Sequence, residues 1–540
     1  MDTNILYYGD NLNILREFDK ESIDLIYIDP PFNSNQAYNV IFSEPNGTSS
    51  QAQIQAFDDT WHWIGAKQTY SEIINKAPTE IVECISSFRN FLGTTDMMAY
   101  LTMMTPRLIE LHRVLKPTGS FYLHCDPTAS HYLKIILDSI FGVKNFRNEI
   151  VWQRATAHNM KSRYFPRIHD ILLFYSKGDD YTWNNQYTEY SEAQLSRYKK
   201  DEGGRLYKAE NLTMSTPNES RNFEWRGTRP PAHRSWGASL EQLEKWYAEG
   251  RILLKKDGAP RLDGLKVYLD ELPGKQVPSI WNDIPRIGNT SKERLGYPTQ
   301  KPESLLERII KASSNEGDIV LDAFAGCGTM ITTAQRLNRR WIGIDITHIA
   351  IAVIKNRLKN AFGDSVKYKV IGEPQDIASA IALAEQDRYQ FQWWALSLVK
   401  ARPVQGKKKG ADTGVDGVIF LEDIDPETRK PVTLKIIIQV KSGKVSVKDI
   451  RDLRGVIERE KAIIGVFITL EEPTQPMVME AIEADYYERW GQKYPKIQIL
   501  TIEELFQGKK IDSPQTPINM GFKRAEMVEN SKEIQQELDL

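Results

Sequence analysis

Asp29-Pro30-Pro31-Phe32 places a carboxylate, two ring-locked backbone positions and an aromatic face in consecutive residues. Proline fixes φ, so the pair holds the Pro30 carbonyl in a set direction near the Asp29 carboxylate. Two acceptors aimed at the hydrogens of a conjugated amine pull its nitrogen toward tetrahedral geometry and localise its lone pair. Phe32 offers a face on which a flat heterocycle stacks. Far downstream stands a second constellation, Asp322-Ala323-Phe324-Ala325-Gly326-Cys327-Gly328-Thr329. A Gly-rich turn between a strand and a helix lets a ligand approach the backbone closely. Asp345 stands 23 positions after Asp322, at the end of the next strand, where an acid can hold two ribose hydroxyls. The pattern is a nucleoside signal. It is not Gly-x-Gly-x-x-Gly, which disfavours a dinucleotide.

The elements around these residues alternate. An apolar run at 23–28 reads as a buried strand, 97–115 as an amphipathic helix, 121–124 as a strand and 129–141 as a helix, which argues for an α/β sheet. From 155 to 295 the periodicity is lost. Basic residues, among them Arg221, Arg226, Arg229 and Arg234, interleave there with Tyr198, Tyr207, Phe223, Trp225 and Trp236. Regular structure resumes with a helix at 302–314, a strand at 319–322, a helix at 329–337 and a strand at 341–345. Beyond 372 a further α/β unit is expected: a helix at 388–400, strands at 415–421 and 434–440, a helix at 447–461 and a strand at 463–469. Residues 511–540 are polar and charged and read as a loose tail or an exposed helix.

Length alone implies several domains, since the chain has 540 residues. With 70 Lys+Arg against 72 Asp+Glu, net charge says nothing for or against a nucleic-acid partner. No basic segment followed by an apolar stretch opens the chain and no run is long enough to span a bilayer. Cys84, Cys125 and Cys327 have neither metal-ligand spacing nor a disulfide framework, so a reducing cytoplasmic setting fits. No Gly-x-x-x-x-Gly-Lys-[Ser/Thr] occurs, so an ATP-driven motor would have to come from a partner subunit.

Phe324-x-Gly326-x-Gly328 resembles the S-adenosylmethionine motif of amino-methyltransferases. Tyr297-Pro298-Thr299-Gln300-Lys301-Pro302, followed by Leu305-Leu306, resembles that family's other cofactor-side motif, and Tyr8-Gly9-Asp10-Asn11 its adenine-side segment. The resemblance implies a cofactor held by Asp10, Thr299, Gln300, Lys301, Asp322, Phe324, Gly326, Gly328, Thr329 and Asp345, with residues 299–301 near the methionine end. Catalytic half, variable region, then cofactor half is the order of β-group DNA amino-methyltransferases. It implies a doubly wound α/β sheet with both loops at its switch point. The implied boundaries are a catalytic half at 1–154, a target-recognition region at 155–295 and a cofactor half at 296–372. Double-stranded DNA is the implied substrate, with the arginines on its phosphates and the target base extruded. Asp-Pro-Pro-Phe departs from the commoner Tyr ending and leaves adenine and cytosine open. The stretch 24–42, with Asn33-Ser34-Asn35 and Tyr38-Asn39-Val40, resembles type III modification subunits, which implies adenine N6. Carbon-5 chemistry is a poor fit, because no cysteine follows proline. The alternatives are an N4-cytosine enzyme, an RNA or protein amine methyltransferase, or a binding protein with dead sites.

Methyl transfer does not need the rest of the chain. Asp416 precedes a strand, and Gln439 and Lys441 share one face of the next. This resembles the PD-(D/E)XK nuclease core in its Mrr-like Gln form, over 385–508. By that resemblance Asp416 and Gln439 hold Mg²⁺ and Lys441 orients the attacking water. Glu385 and Asp387 are candidates for an additional helix acid, Asp412 competes with Asp416, and Lys407-Lys408-Lys409 could hold phosphate. An inactive, DNA-binding version of this domain is the alternative. A homodimer and a separate restriction or motor subunit are the further partners considered.

Overall fold

The computed structural model describes residues 2–31, 38–43, 49–57, 63–155, 163, 165–288, 291–295, 297, 299–404, 414–424 and 431–514. Phe32, Asn33-Ser34-Asn35, Lys407-Lys408-Lys409, Asp412 and the tail from 515 lie outside them. The chain forms two compact units, Met1–Asn184 with Ser279–Leu540, and Asn185–Pro278.

A nine-stranded sheet organises the first unit. Its order is Ile280–Trp281, Phe146–Gln153, His169–Ser176, Leu115–Cys125, Ile23–Ile28, Ile319–Asp322, Arg340–Asp345, Ile5–Tyr8 and Lys369–Ile371. Ile23–Ile28 is the pivot. All of its residues except Asp24 are buried, the near-continuous apolar run of a parallel strand covered on both faces. It pairs in parallel with Leu115–Cys125 on one side and Ile319–Asp322 on the other. The chain leaves these two neighbours in opposite directions across the sheet, so a switch point opens beside the Ile23–Ile28 carboxyl end. The Asp96–Val114 helix, capped by the Thr95 hydroxyl, supplies Leu101, Met104, Leu108 and Leu111 to the core under this pivot.

The structure moves three expected boundaries. His169–Ser176 pairs with both Leu115–Cys125 and Phe146–Gln153, and Ile280–Trp281 joins the same sheet. The separate unit is therefore Asn185–Pro278 rather than 155–295. Residues 170–176 are all buried, an apolar run that belongs to a central strand and not to an insert. The strand expected at 121–124 begins at Leu115 and includes Lys116-Pro117-Thr118-Gly119. The separate unit has its own core around Leu212, Trp225, Trp236, Leu243 and Ile252.

The C-terminal α/β domain carries a five-stranded sheet, Arg402–Pro403, Gly417–Ile424, Pro431–Lys441, Ile464–Thr469 and Ile497–Thr501. It starts before 385, because the Ile377–Gln386 helix buries Ala380, Leu383 and Ala384 in the same core. It also runs past 508. The Gln498 amide exchanges two hydrogen bonds with the Asp512 backbone, at 2.6 and 2.9 Å. No helix among the described residues is long and apolar enough to cross a membrane.

Candidate active sites

Asp322 pairs with Tyr27 in the parallel ladder, so the chain leaves both strands at the same edge of the sheet. Asp29 follows two residues after Tyr27 and lies beside the Gly-rich loop. Lys301 reaches into this gap and forms an ion pair with Asp29, in which both side chains are largely buried. Two motifs 272 positions apart thus meet in one charged contact. Pro30 is buried and Pro31 half-buried next to it.

The loop after Asp322 is shaped for close approach. Gly328 has φ +73°, and a Cβ there would stand 2.7 Å from Ile354 Cγ1. Only glycine fits without displacing the Ile354 side chain. Gly326, at φ +51°, donates its N–H to Asp345 Oδ2 at 2.8 Å, while Asp345 Oδ1 accepts from the Thr347 N–H and hydroxyl. A carboxylate has about four acceptor positions, so about one remains after these bonds, enough for a single ribose hydroxyl. Burial pushes Asp345 up, and these three bonds oppose it. Asp322 is more perturbed. Burial, with the charges of Asp29 and Asp345, pushes its carboxyl up to about 8, against the Phe324 N–H and Lys301. Phe324 packs against the main core.

Four sequence candidates serve the loop architecture. Asp10 caps the Asn11–Glu17 helix through the Leu12 N–H and pairs with Arg107 at 2.8 Å. Gln300 accepts from the Leu295 N–H and donates to the Glu293 carbonyl, which ties its amide to the preceding segment. The Thr329 hydroxyl accepts from Arg357. Thr299 contributes its carbonyl, 3.4 Å from Lys301 Nζ. Sequence reasoning missed two supports. Asn11 donates to the Ala323 carbonyl at 2.7 Å. Arg357, 1% exposed, bridges the Cys327 carbonyl, Thr329 and Glu303. Arg357 reads from sequence as an ordinary helix-surface cation.

The second site lies in the C-terminal domain. Register pairs Gly417 with Ile438, which sets Asp416 across from the Gln439–Lys441 segment. Asp416 Oδ2 accepts from the Val440 N–H at 2.7 Å and Oδ1 accepts from Gln392 Nε2 at 2.8 Å. Gln439 Oε1 is buried and has no hydrogen-bond partner among the described residues. Such an orphaned oxygen beside a carboxylate suits a hard cation. Lys441 is nearly half exposed, 3.7 Å from Asp449. The helix residue that reaches this site is Gln392. Asp387 is the cap of the Arg388–Leu398 helix, bonded to the Tyr389 and Gln390 N–H groups, and Glu385 is exposed. Among the described residues no group of three or more His, Cys, Asp or Glu is placed to hold a metal. The next residue on that helix, Trp393, packs with Cys327, Ile349, Val353 and Tyr297 beside the Gly-rich loop. One helix therefore touches both sites.

In the separate unit three of the four arginines have local roles. Arg226 pairs with Glu244 and lies 3.8 Å over Tyr247, Arg229 bonds Asn222, and Arg234 bonds Thr213. Arg221 makes no ion pair with a described residue. The unit holds sixteen Lys+Arg against fourteen Asp+Glu, so its surface is mixed rather than strongly basic.

A fold with a switch-point nucleoside loop facing an Asp-Pro-Pro edge defines a methylase class. The chain belongs to the DNA methylase family, whose model matches residues 23–356, and a restriction endonuclease family model matches 383–506. It is similar to the Type II methyltransferase M.EcaI of Enterobacter cloacae, 29% identical over 62% of this chain and 64% of that protein. It is 23% identical to the Type III restriction-modification enzyme StyLTI Mod subunit of Salmonella typhimurium, over 68% of this chain and 55% of the relative. The chain therefore spans less than two thirds of either relative. It is also 23% identical to the DNA adenine methyltransferase YhdJ of Escherichia coli, over 65% of this chain and 82% of that one. The solved PvuII DNA methyltransferase (cytosine-N4-specific) aligns at 13% identity over 66% of this chain and 86% of its own, with a TM-score of 0.31.

Proposed function

We propose that this chain methylates the N6 amine of adenine in double-stranded DNA with S-adenosylmethionine, and that its C-terminal domain cuts DNA with Mg²⁺. The observation that carries the first half is the Asp29–Lys301 contact beside the Gly326–Gly328 turn and Asp345. When bound, the cofactor supplies a methyl group activated on a sulfonium. Asp345 orients the ribose, and the glycines leave room for the nucleoside. Asp29 and the Pro30 carbonyl accept the two amine hydrogens and so localise the lone pair on nitrogen. Lys301 holds the Asp29 carboxylate at the sheet edge while Phe32 stacks on the base.

For the second half, Asp416 and Gln439 are the oxygen donors a divalent cation would use, and its charge would polarise the scissile phosphate. Lys441 orients the attacking water, and Gln392 fixes the Asp416 carboxylate. With one carboxylate among these donors, cation affinity is low. A homodimer or a motor subunit would extend this scheme without altering either centre.

The test is transfer of tritiated methyl from S-adenosylmethionine to duplex DNA, followed by base analysis. N6-methyladenine is expected. N4-methylcytosine would overturn the base assignment, and label in RNA or protein alone would overturn the substrate. Mg²⁺-dependent cleavage that survives both Asp416→Ala and Lys441→Ala would overturn the nuclease site.

A further inference from the structure

Behind the Asp29 loop, buried polar groups form a chain that ends in an exposed cation. Tyr27 Oη lies 3.0 Å from His124 Nδ1, and His124 Nε2 lies 3.2 Å from Asp170 Oδ2. Asp170 Oδ1 in turn accepts from Arg154 Nε at 2.8 Å. Tyr27, His124 and Asp170 are 2%, 0% and 4% exposed, whereas the Arg154 side chain is 46% exposed. The direction of the chain follows from its acid. An ionised carboxylate only accepts, so His124 donates from Nε2, and Nδ1 of the neutral ring accepts a hydrogen bond from the Tyr27 hydroxyl. Burial works to raise the Asp170 carboxyl, but the His124 bond and the charges of Lys301 and Arg154 hold it below its ordinary value.

Strand register gives the place of this chain. Trp152 pairs with Asp170 and Gln153 with His169, so Arg154 is the next residue off the end of its strand. Cys125 pairs with Ile171 and Ile28 with Leu123. The carboxyl ends that release Asp29 and Asp126 therefore lie at the same edge of the sheet as Arg154. A surface arginine gains little from an exposed acid. A nearly buried carboxylate backed by a buried histidine and tyrosine is different, because it costs desolvation and fixes the guanidinium in one direction. Methyl transfer as described above has no use for such a chain. A fixed guanidinium at this edge suits a phosphate, which arginine grips through paired N–H groups.

We propose that Arg154 binds a DNA backbone phosphate beside the extruded base, and that Asp170, His124 and Tyr27 are positioning residues that hold it there. The proposal rests on DNA being the substrate. It is tested on the full chain by DNA affinity across a salt series and by steady-state methylation. Arg154→Gln should weaken DNA binding about tenfold, with the loss falling on KM for DNA more than on kcat. The slope of log K against log salt should become shallower by about 0.9, the value for one phosphate contact. Asp170→Asn is the sharper variant. It removes a negative charge, which by itself tightens DNA binding, yet it should weaken binding because Arg154 loses its anchor. Tyr27→Phe should act in the same direction by a smaller factor, with thermal melts establishing that each variant is folded.

An Arg154→Gln protein with wild-type affinity and salt slope, on DNA that the wild type methylates, would overturn the proposal and leave the substrate reading intact. Tighter DNA binding by folded Asp170→Asn would also overturn it. If the wild type transfers no methyl to DNA at all, the substrate reading falls and takes this inference with it.

Discussion

The proposed methyltransferase centre gathers its charged groups from distant segments, whereas the proposed nuclease centre is assembled from one hairpin and one helix. In the first, Asp29, Lys301, Asp322 and Asp345 lie within electrostatic reach of one another. In the second, the Asp416 carboxylate is held by a neutral amide and a backbone N–H, with Lys441 turned toward Asp449. The difference concerns coupling. In the first centre the loss of one charge changes the state of the others. In the second it removes local hydrogen bonds to neutral partners.

Asp29→Asn gives the largest expected effect. It removes an acceptor for the amine and leaves the largely buried Lys301 without its carboxylate, so single-turnover methyl transfer should fall by about 10²–10³-fold. Cleavage should be unaffected. If cleavage fell equally, the two centres would not be separable and the contrast would fail. Gln392→Ala comes next. Loss of one hydrogen bond to Asp416, on the order of 1 kcal/mol, should slow cleavage by up to about tenfold and leave methylation intact. Gln392→Glu sets a second carboxylate against Asp416 and should lower the Mg²⁺ concentration for half-maximal cleavage. An unchanged Mg²⁺ dependence would remove Gln392 from the site.

The same contrast explains what the sequence made legible. Apolar runs such as Ile23–Ile28 and the Asp-Pro-Pro and Gly-x-Gly turns are local, and they revealed the sheet, the order of the halves and the C-terminal domain. The Lys301–Asp29 pair was not legible, because no local pattern tells which cation meets which acid across 272 positions. Arg357 was missed for the same reason: its burial depends on Glu303 and Thr329 arriving from other segments. Gln392 carries no charge signal, so nothing in the sequence sets it apart from the other polar positions of its helix. Gly, Pro and aromatic residues flank the buried strand at His169–Ser176, so composition alone does not separate it from the unit that follows.

Asp322 sharpens the coupling argument through pH. Its folded carboxyl is raised from 3.8 to about 8, so the folded state binds more protons than the unfolded chain between these values. The stability it contributes is full below about pH 4 and is lost as pH rises through 8. Asp322→Asn keeps an oxygen for the Phe324 N–H and cannot ionise. Its melting temperature should therefore decline less than that of the wild type between pH 4 and 8. Parallel declines would mean that Asp322 ionises freely and is not coupled to Asp29 and Asp345.

The smallest effect is expected in the separate unit, where three of the four arginines already have local partners. Arg226 is held by Glu244 and stacked on Tyr247, so its charge is largely compensated before DNA arrives. Arg221 has no such pairing, which makes it the stronger candidate for a phosphate. Arg221→Ala should make the salt slope of DNA binding shallower by up to about 0.9. Arg226→Ala should change the slope less, because the freed Glu244 repels phosphate at every salt concentration while no phosphate contact is lost. Equal slopes for the two variants would mean that internal pairing does not decide which arginines of this unit meet DNA.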